Sequence, residues 1–182
     1  DGSMLATVSQ ERINLWSLAA GMPRVVVGDP RRLPATACFA AAFTRDGLGL
    51  LTSSILGKDA RIARWDLAGL RQNLATVFPV PQMSLAVSPD GRLAAAAGSA
   101  GPDITLIDLR TGRIAERFAS GGTYVGGLEF SPDGTSLLAA VMTPPVPRMK
   151  LFDLRSSAVP EGWPFPRPNS PRFAFAPDGT GV

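Results

Sequence analysis

Aspartate is the chemically active residue that recurs at a regular spacing in this sequence. Asp–Gly pairs end at Gly2, Gly47, Gly91, Gly134 and Gly179, in steps of 45, 44, 43 and 45 residues. Carboxylates can bind metal ions or act as general acids and bases. One carboxylate per repeat makes no such cluster, and a structural role in turns is the better interpretation. The turn residues are Asp46, Gly47, Asp90, Gly91, Asp133, Gly134, Asp178 and Gly179.

The composition excludes several kinds of active site within these 182 residues. There is no histidine and one cysteine, Cys38, so Ser–His–Asp and Cys–His catalysis, an internal disulfide and a cysteine zinc site cannot be built. The G-x-S-x-G nucleophile motif is also missing. We therefore expect no catalytic residue, no metal and no cofactor, and we interpret Cys38 as a small buried hydrophobic residue.

The elements that must hold the aspartates are short β-strands. In "LEFSPDGTSLLAAV", residues 128–141, two apolar runs flank a Ser-Pro-Asp-Gly sequence. Proline presets the first central dihedral of a turn, and glycine accepts a positive φ, so this sequence is typical of a hairpin turn. A second short sequence, which we call the second phrase, recurs with the same period. It occurs as "INLWSL", "IARWDL", "ITLIDL" and "MKLFDL", which start at Ile13, Ile62, Ile104 and Met149.

Each repeat of about 44 residues holds four such runs. In "RLAAAA" the small residues indicate that two sheets approach closely, and proline disfavours an outer strand in residues 160–171. For two repeats the predicted strands are 39–44, 49–54, 61–67, 73–78 and 84–87, 92–97, 104–109, 113–118. A single sheet of this size cannot bury both faces, and a radial array of stacked sheets solves the problem.

The sequence resembles the WD40 and WD40-like β-propeller family. The resemblance is carried by the turns at Ser88–Gly91, Ser131–Gly134 and Ala176–Gly179 and by the Trp65-Asp66 dipeptide; Trp16, Ile107-Asp108 and Phe152-Asp153 are degenerate copies of that dipeptide. It implies an all-β chain of about four blades, each with four antiparallel strands, from a ring of seven or eight. A closed four-bladed ring, or two copies forming eight blades, are the alternatives.

The family often has an Asp-His-Ser/Thr-Trp network, which this chain lacks because it has no histidine. Asp59 and Thr52 match the network's aspartate and hydroxyl beside Trp65, and we expect part of the network in that blade alone. The resemblance therefore leaves open a looser relative of the TolB-like or lactonase-like type.

Residues 1–182 are predicted to form one propeller segment. The period divides it into approximate repeats at 1–36, 37–81, 82–123 and 124–171, with the start of the next at 172–182.

The resemblance places two sets of loops on one face, where function is expected. One set joins the second and third strands of each blade, and includes residues 142–148; the other joins successive blades, and includes residues 79–82 and 119–123. Arginine suits carboxylate or phosphate groups, and exposed aromatic residues suit interfaces. The candidate partner-binding residues are Arg31, Arg32, Lys58, Arg148, Trp163, Phe165 and Arg167.

The predicted function is a non-enzymatic scaffold that binds another protein or a neighbouring domain of its own chain, and the basic candidate residues favour an acidic partner. The alternatives are a propeller that gates a fused peptidase or kinase, and a lactonase-like enzyme. Sixteen arginines and two lysines give a net charge of only +3 without a dense basic cluster, which disfavours nucleic acid.

No apolar stretch is long enough for a membrane span, and no signal peptide is visible, so we expect a cytoplasmic protein. The abundance of alanine, arginine, glycine and proline suits a GC-rich bacterial genome.

Overall fold

The computed structural model describes residues 4–8, 13–17, 22–27, 37–56, 59–68, 71–98, 103–156, 163–164 and 173–176. All regular structure in these ranges is β-strand, in 15 elements, and no helix in them could span a bilayer. The strands are β1 (Met4–Val8), β2 (Ile13–Ser17), β3 (Met22–Val27), β4 (Cys38–Phe43), β5 (Gly49–Leu56), β6 (Asp59–Asp66), β7 (Arg71–Phe78), β8 (Gln82–Val87), β9 (Leu93–Gly98), β10 (Asp103–Asp108), β11 (Ile114–Ala119), β12 (Tyr124–Phe130), β13 (Ser136–Met142), β14 (Arg148–Asp153) and β15 (Trp163–Pro164).

The strands form four antiparallel sheets in which chain neighbours are also sheet neighbours. The first sheet has the order β1-β2-β3, and three four-stranded sheets follow as β4-β5-β6-β7, β8-β9-β10-β11 and β12-β13-β14-β15. This arrangement confirms the predicted all-β fold with sheets of four antiparallel strands. The eight strands predicted for two of the repeats begin and end within two residues of the observed ones.

The chain divides into two compact units, residues 1–82 and 83–182. In the first unit β1 packs against β4, so that the three-stranded sheet covers the sheet β4–β7. Leu15 and Leu50 are fully buried between them, and Trp65 packs against this cluster. Cys38 joins the same cluster half-buried, and burial raises the pKa of its thiol.

In the second unit two four-stranded sheets share one hydrophobic core. β9 and β10 lie against β12, and the core takes Ala95, Ala97 and Ile104 from one sheet and Val125 and Leu137 from the other. The alanines of β9 are completely buried. Because alanine keeps the side chains short, the sheets can approach closely at this point, as the sequence predicted.

Two residues of the outer strand of the last sheet, Trp163 and Pro164, belong to the described part of the chain. On the outer side of β14, Trp163 pairs with Met149 and Pro164 pairs with Arg148. In the two preceding sheets the corresponding strands, β7 and β11, contain eight and six residues. The rest of residues 160–171 lies outside the described residues, so the expectation that proline disfavours an outer strand there stays a prediction.

Candidate functional site

Three Asp–Gly turns share one hydrogen-bonding pattern, which we call the corner. A corner begins at a buried hydroxyl, Thr44, Ser88 or Ser131, which donates to the aspartate two residues later at 2.6 Å. The same hydroxyl accepts the amide N–H five residues later at 2.8–2.9 Å. The aspartate Oδ1 also accepts an amide N–H two residues beyond itself at 3.0 Å.

The second repeated phrase meets the corner at the same end of each sheet. In it Asp66, Asp108 and Asp153 accept an amide N–H two residues later at 2.7–2.9 Å. The leucine that follows each aspartate donates its N–H to a corner carbonyl at 2.8–3.0 Å. The pairs are Leu67 with Leu48, Leu109 with Arg92 and Leu154 with Thr135. The corner and the second phrase recur with the same period because each copy of one is hydrogen-bonded to a copy of the other.

These carboxylates act as structural acceptors. The Ser131 hydroxyl and the Thr135 amide lower the pKa of Asp133 to about 2, and equivalent bonds lower the pKa of Asp46 and Asp90. Amide N–H donors do the same for the pKa of Asp108 and of Asp153. A carboxylate that is held ionised by fixed donors is poorly suited to proton transfer near neutral pH.

The partial network predicted around Trp65 extends to a second sheet. Trp65 Nε1 donates to Thr52 Oγ1 at 2.9 Å, and Trp16 Nε1 donates to Thr7 Oγ1 at the same distance. The expectation that one blade alone keeps this bond is therefore wrong. Asp59 pairs instead with Arg61, at 3.3 Å on the surface.

We expect Thr52→Val to lower the free energy of unfolding by about 1 kcal/mol, since it leaves the indole N–H of Trp65 without its acceptor. The neighbouring hydroxyl, Ser53 Oγ, is buried and has no hydrogen-bond partner in the part of the chain that the structure describes. Ser53→Ala is the matched control, and it should leave the stability unchanged or slightly higher. Urea unfolding measures both, and equal losses would contradict the assignment.

At the opposite end of the last sheet, two loops form what we call the paired-loop surface, residues 119–124 and 142–148. The Met142 carbonyl accepts both the amide and the hydroxyl of Thr123, at 2.7 and 2.9 Å. These bonds join the β11–β12 loop to the end of β13. The resemblance predicted that these two kinds of loop share one face, and in this unit they lie side by side.

A lysine fixes the first of these loops to the last sheet. Lys150 Nζ, on β14, donates to the Ser120 carbonyl at 2.7 Å. Gly121 follows with φ of +70°, and a Cβ built there would lie 2.9 Å from the ammonium nitrogen. Lys150 therefore links the sheet β12–β15 to the residue that follows β11, the last strand of the sheet β8–β11.

The second loop is closed by its own hydrogen bond. Thr143 Oγ1 donates to the Val146 carbonyl at 2.7 Å, across a turn that contains the cis Pro144–Pro145 bond. Tyr124 and Val146 are 40% and 43% exposed, and Arg148 is exposed as well. Tyr124 lies opposite Met142 and Arg148 opposite Val141, so the tyrosine and the arginine leave the sheet on opposite faces.

Of the predicted partner-binding residues, the structure places Arg148 in the paired-loop surface. For Trp163 it gives the pairing of the backbone with Met149. The remaining candidates, and one corner, lie outside the described residues: Arg31, Arg32, Lys58, Phe165, Arg167, Asp178 and Gly179.

Tyr124 and Val146 are not among the residues predicted from the sequence. A signal for Tyr124 existed in the repeats, because the position seven residues before each corner hydroxyl holds Ala37, Pro81 and Tyr124. The other two repeats have no aromatic residue at this position, so the fold does not require one there. Val146 gave no comparable signal, since nothing in its loop repeats.

The described residues offer little for catalysis or metal binding. They contain no group of three carboxylate or thiol side chains able to hold a metal ion. A cavity of about 500 Å³ lies beside the third corner, lined by Asp133, Leu151 and Phe175. Its carboxylate is already bonded to Ser131 and Thr135.

Comparison with known proteins identifies the fold. No protein-family model matches the sequence, and no curated protein matches it either. The structure matches 1141 chains of solved structures, so the fold is a common one and says little about function.

Two of these neighbours are β-propeller proteins. A chain in the crystal structure of the mitotic checkpoint complex has a TM-score of 0.74 and 14% identity, over 88% of this chain and 47% of that one. A chain of Kuenenia stuttgartiensis hydrazine synthase has a TM-score of 0.78 and 20% identity, over 91% and 47%. The chain therefore has the β-propeller fold and spans about half the length of each neighbour.

Proposed function

We propose that this chain is a segment of a larger WD40-like β-propeller with a non-enzymatic role. It presents the paired-loop surface to another protein or to a neighbouring domain of its own chain. The observation that carries the proposal is that both loops are held by hydrogen bonds within the chain while Tyr124 and Val146 stay exposed.

The mechanism is rigid display. Thr123, Lys150 and Thr143 fix the two loops before any partner arrives, so binding costs little ordering entropy. Tyrosine and arginine are enriched among the residues that dominate interface energies. Tyr124 and Arg148 contribute such side chains at the same end of the sheet, one on each face. Val146 lies between them in the loop from β13 to β14.

Two observations support the WD40-like assignment. The Trp–Thr hydrogen bond occurs in two successive sheets, and the corner occurs in three.

The neighbour in the mitotic checkpoint complex belongs to a protein assembly, and the other neighbour is named as an enzyme. The fold alone therefore favours neither role, and the non-enzymatic role rests on the lack of histidine and on carboxylates committed to turns.

Site-specific crosslinking tests the proposed function. Photoreactive benzoylphenylalanine replaces Tyr124 or Val146 in the full-length protein, in the cells that make it. The matched control is Ile114, which is 39% exposed on the same unit but lies at the far end of β11 from the paired loops. We expect one discrete crosslinked partner from positions 124 and 146 and none from 114. Equal crosslinking at all three positions, or at none, would contradict the proposal.

A further inference from the structure

The Asp–Gly sequence at each corner is a chemically labile one. The glycine amide nitrogen can attack Cγ of the protonated aspartate, forming an N–Cγ bond while the Cγ–OH bond breaks; the hydroxyl and the amide proton leave together as water. The resulting cyclic imide then hydrolyses at either carbonyl, to aspartate or to isoaspartate. Glycine favours the attack because it has no Cβ to hinder it. The chain has five such sequences, three of them in the described corners, and without protection it would be expected to accumulate isoaspartate.

In all three described corners both reacting groups are held. The carboxylate Oδ1 of Asp46, Asp90 and Asp133 accepts the corner hydroxyl and an amide N–H. The amide nitrogen of the following glycine donates to the carbonyl of the residue that carries this hydroxyl, at 2.8–2.9 Å. Cγ cannot swing onto the glycine nitrogen without breaking at least one of these bonds.

We propose that the Ser or Thr that begins each corner protects the Asp–Gly bond against conversion to isoaspartate, in addition to closing the turn. Isomerisation would insert a methylene into the backbone and move the carboxylate away from its donors. The corner hydroxyl and the amide five residues on would then lose their geometry together. The ionised state of these carboxylates acts in the same direction, because a carboxylate is a poorer electrophile than the neutral acid.

The test compares Ser131→Ala with Ser88→Ala in the full-length protein. Each variant is incubated at 37 °C and pH 6, and isoaspartate at Asp90 and Asp133 is measured by mass spectrometry of the corresponding peptides. Ser131→Ala should accelerate conversion at Asp133 roughly fivefold relative to Asp90, which corresponds to about 1 kcal/mol for the lost hydrogen bond. Ser88→Ala should show the reverse ratio.

This design separates local protection from general loosening of the fold, because unfolding would raise both sites together and leave their ratio unchanged. Ser131→Thr keeps the hydroxyl, as Thr44 does in the first corner, and should restore the slow rate. The wild-type protein in urea gives the unprotected rate. The proposal is overturned if the ratio of the two sites is the same in both alanine variants, or if folded and urea-unfolded protein convert equally fast.

Discussion

Phe152→Ala is expected to lower the free energy of unfolding of the second unit by about 3–5 kcal/mol, the range for removing a large aromatic side chain from a core. Phe152 is 1% exposed and belongs to the core that both sheets of the unit share. Its ring centroid lies 6.1 Å from that of Phe118 on the facing sheet. The substitution therefore leaves a cavity between two sheets, which neither sheet can close alone. Urea unfolding followed by circular dichroism measures the loss.

Val146→Ala is the control for Phe152→Ala, because Val146 is 43% exposed and should change the stability by less than about 0.5 kcal/mol. A loss below about 1 kcal/mol for Phe152→Ala would mean that the two sheets can move together to fill the cavity. That outcome would contradict a core held by close packing between the sheets.

The repeated elements of the fold could be predicted because they depend on local sequence. Pro, Asp and Gly at the corner determine a turn through their own dihedral preferences, and short apolar runs on either side of it predict strands. The period then gives the number of strands in each sheet. What joins the two phrases is the bond from Leu109 N to the Arg92 carbonyl, between the residue after β10 and the residue before β9, which are separated in sequence by both strands. Local preferences do not contain it.

The bond between Trp16 and Thr7 shows why spacing along the chain misleads. Thr52 precedes Trp65 by 13 residues, but Thr7 precedes Trp16 by nine. In the sheet both threonines lie two residues beyond the residue that pairs with the tryptophan, Leu50 in one case and Leu5 in the other. The shorter hairpin of the first sheet changes the number of residues between threonine and tryptophan but keeps the same pairing of the two strands. The hydrogen bond depends on that pairing and not on the spacing along the chain.

The candidate site was predictable as a set of loops, and less so as a set of residues. Arg148 is a candidate on the basis of its type and its loop, whereas the contact of Lys150 with Ser120 spans 30 residues and requires two sheets to be packed first. Gly122 likewise gains its role from a neighbour that is distant in sequence. A Cβ on Gly122 would overlap a methyl group of Val141 and would lie 2.7 Å from the Met142 carbonyl oxygen.

Gly122→Ala should therefore destabilise the second unit by about 3 kcal/mol, the upper end of the usual cost of overpacking. The cost is high because one of the contacted atoms belongs to the backbone, which cannot rotate away as a side chain does. The new methyl group would also push the β11–β12 loop off the Met142 carbonyl and break both bonds from Thr123. Urea unfolding measures the stability, and crosslinking from position 124 in the same variant reports on the paired-loop surface.

Gly91→Ala separates this effect from the general cost of replacing a glycine. Gly91 has φ of +70° and open space around it, so alanine there should cost about 1 kcal/mol through backbone strain alone. It belongs to a corner, at the other end of its sheet from the loops, and should leave crosslinking from position 124 unchanged. If both variants cost the same and neither reduces crosslinking, close contact between the two loops does not shape the binding surface. If only Gly122→Ala abolishes crosslinking, the rigidity of the paired loops is what the partner recognises.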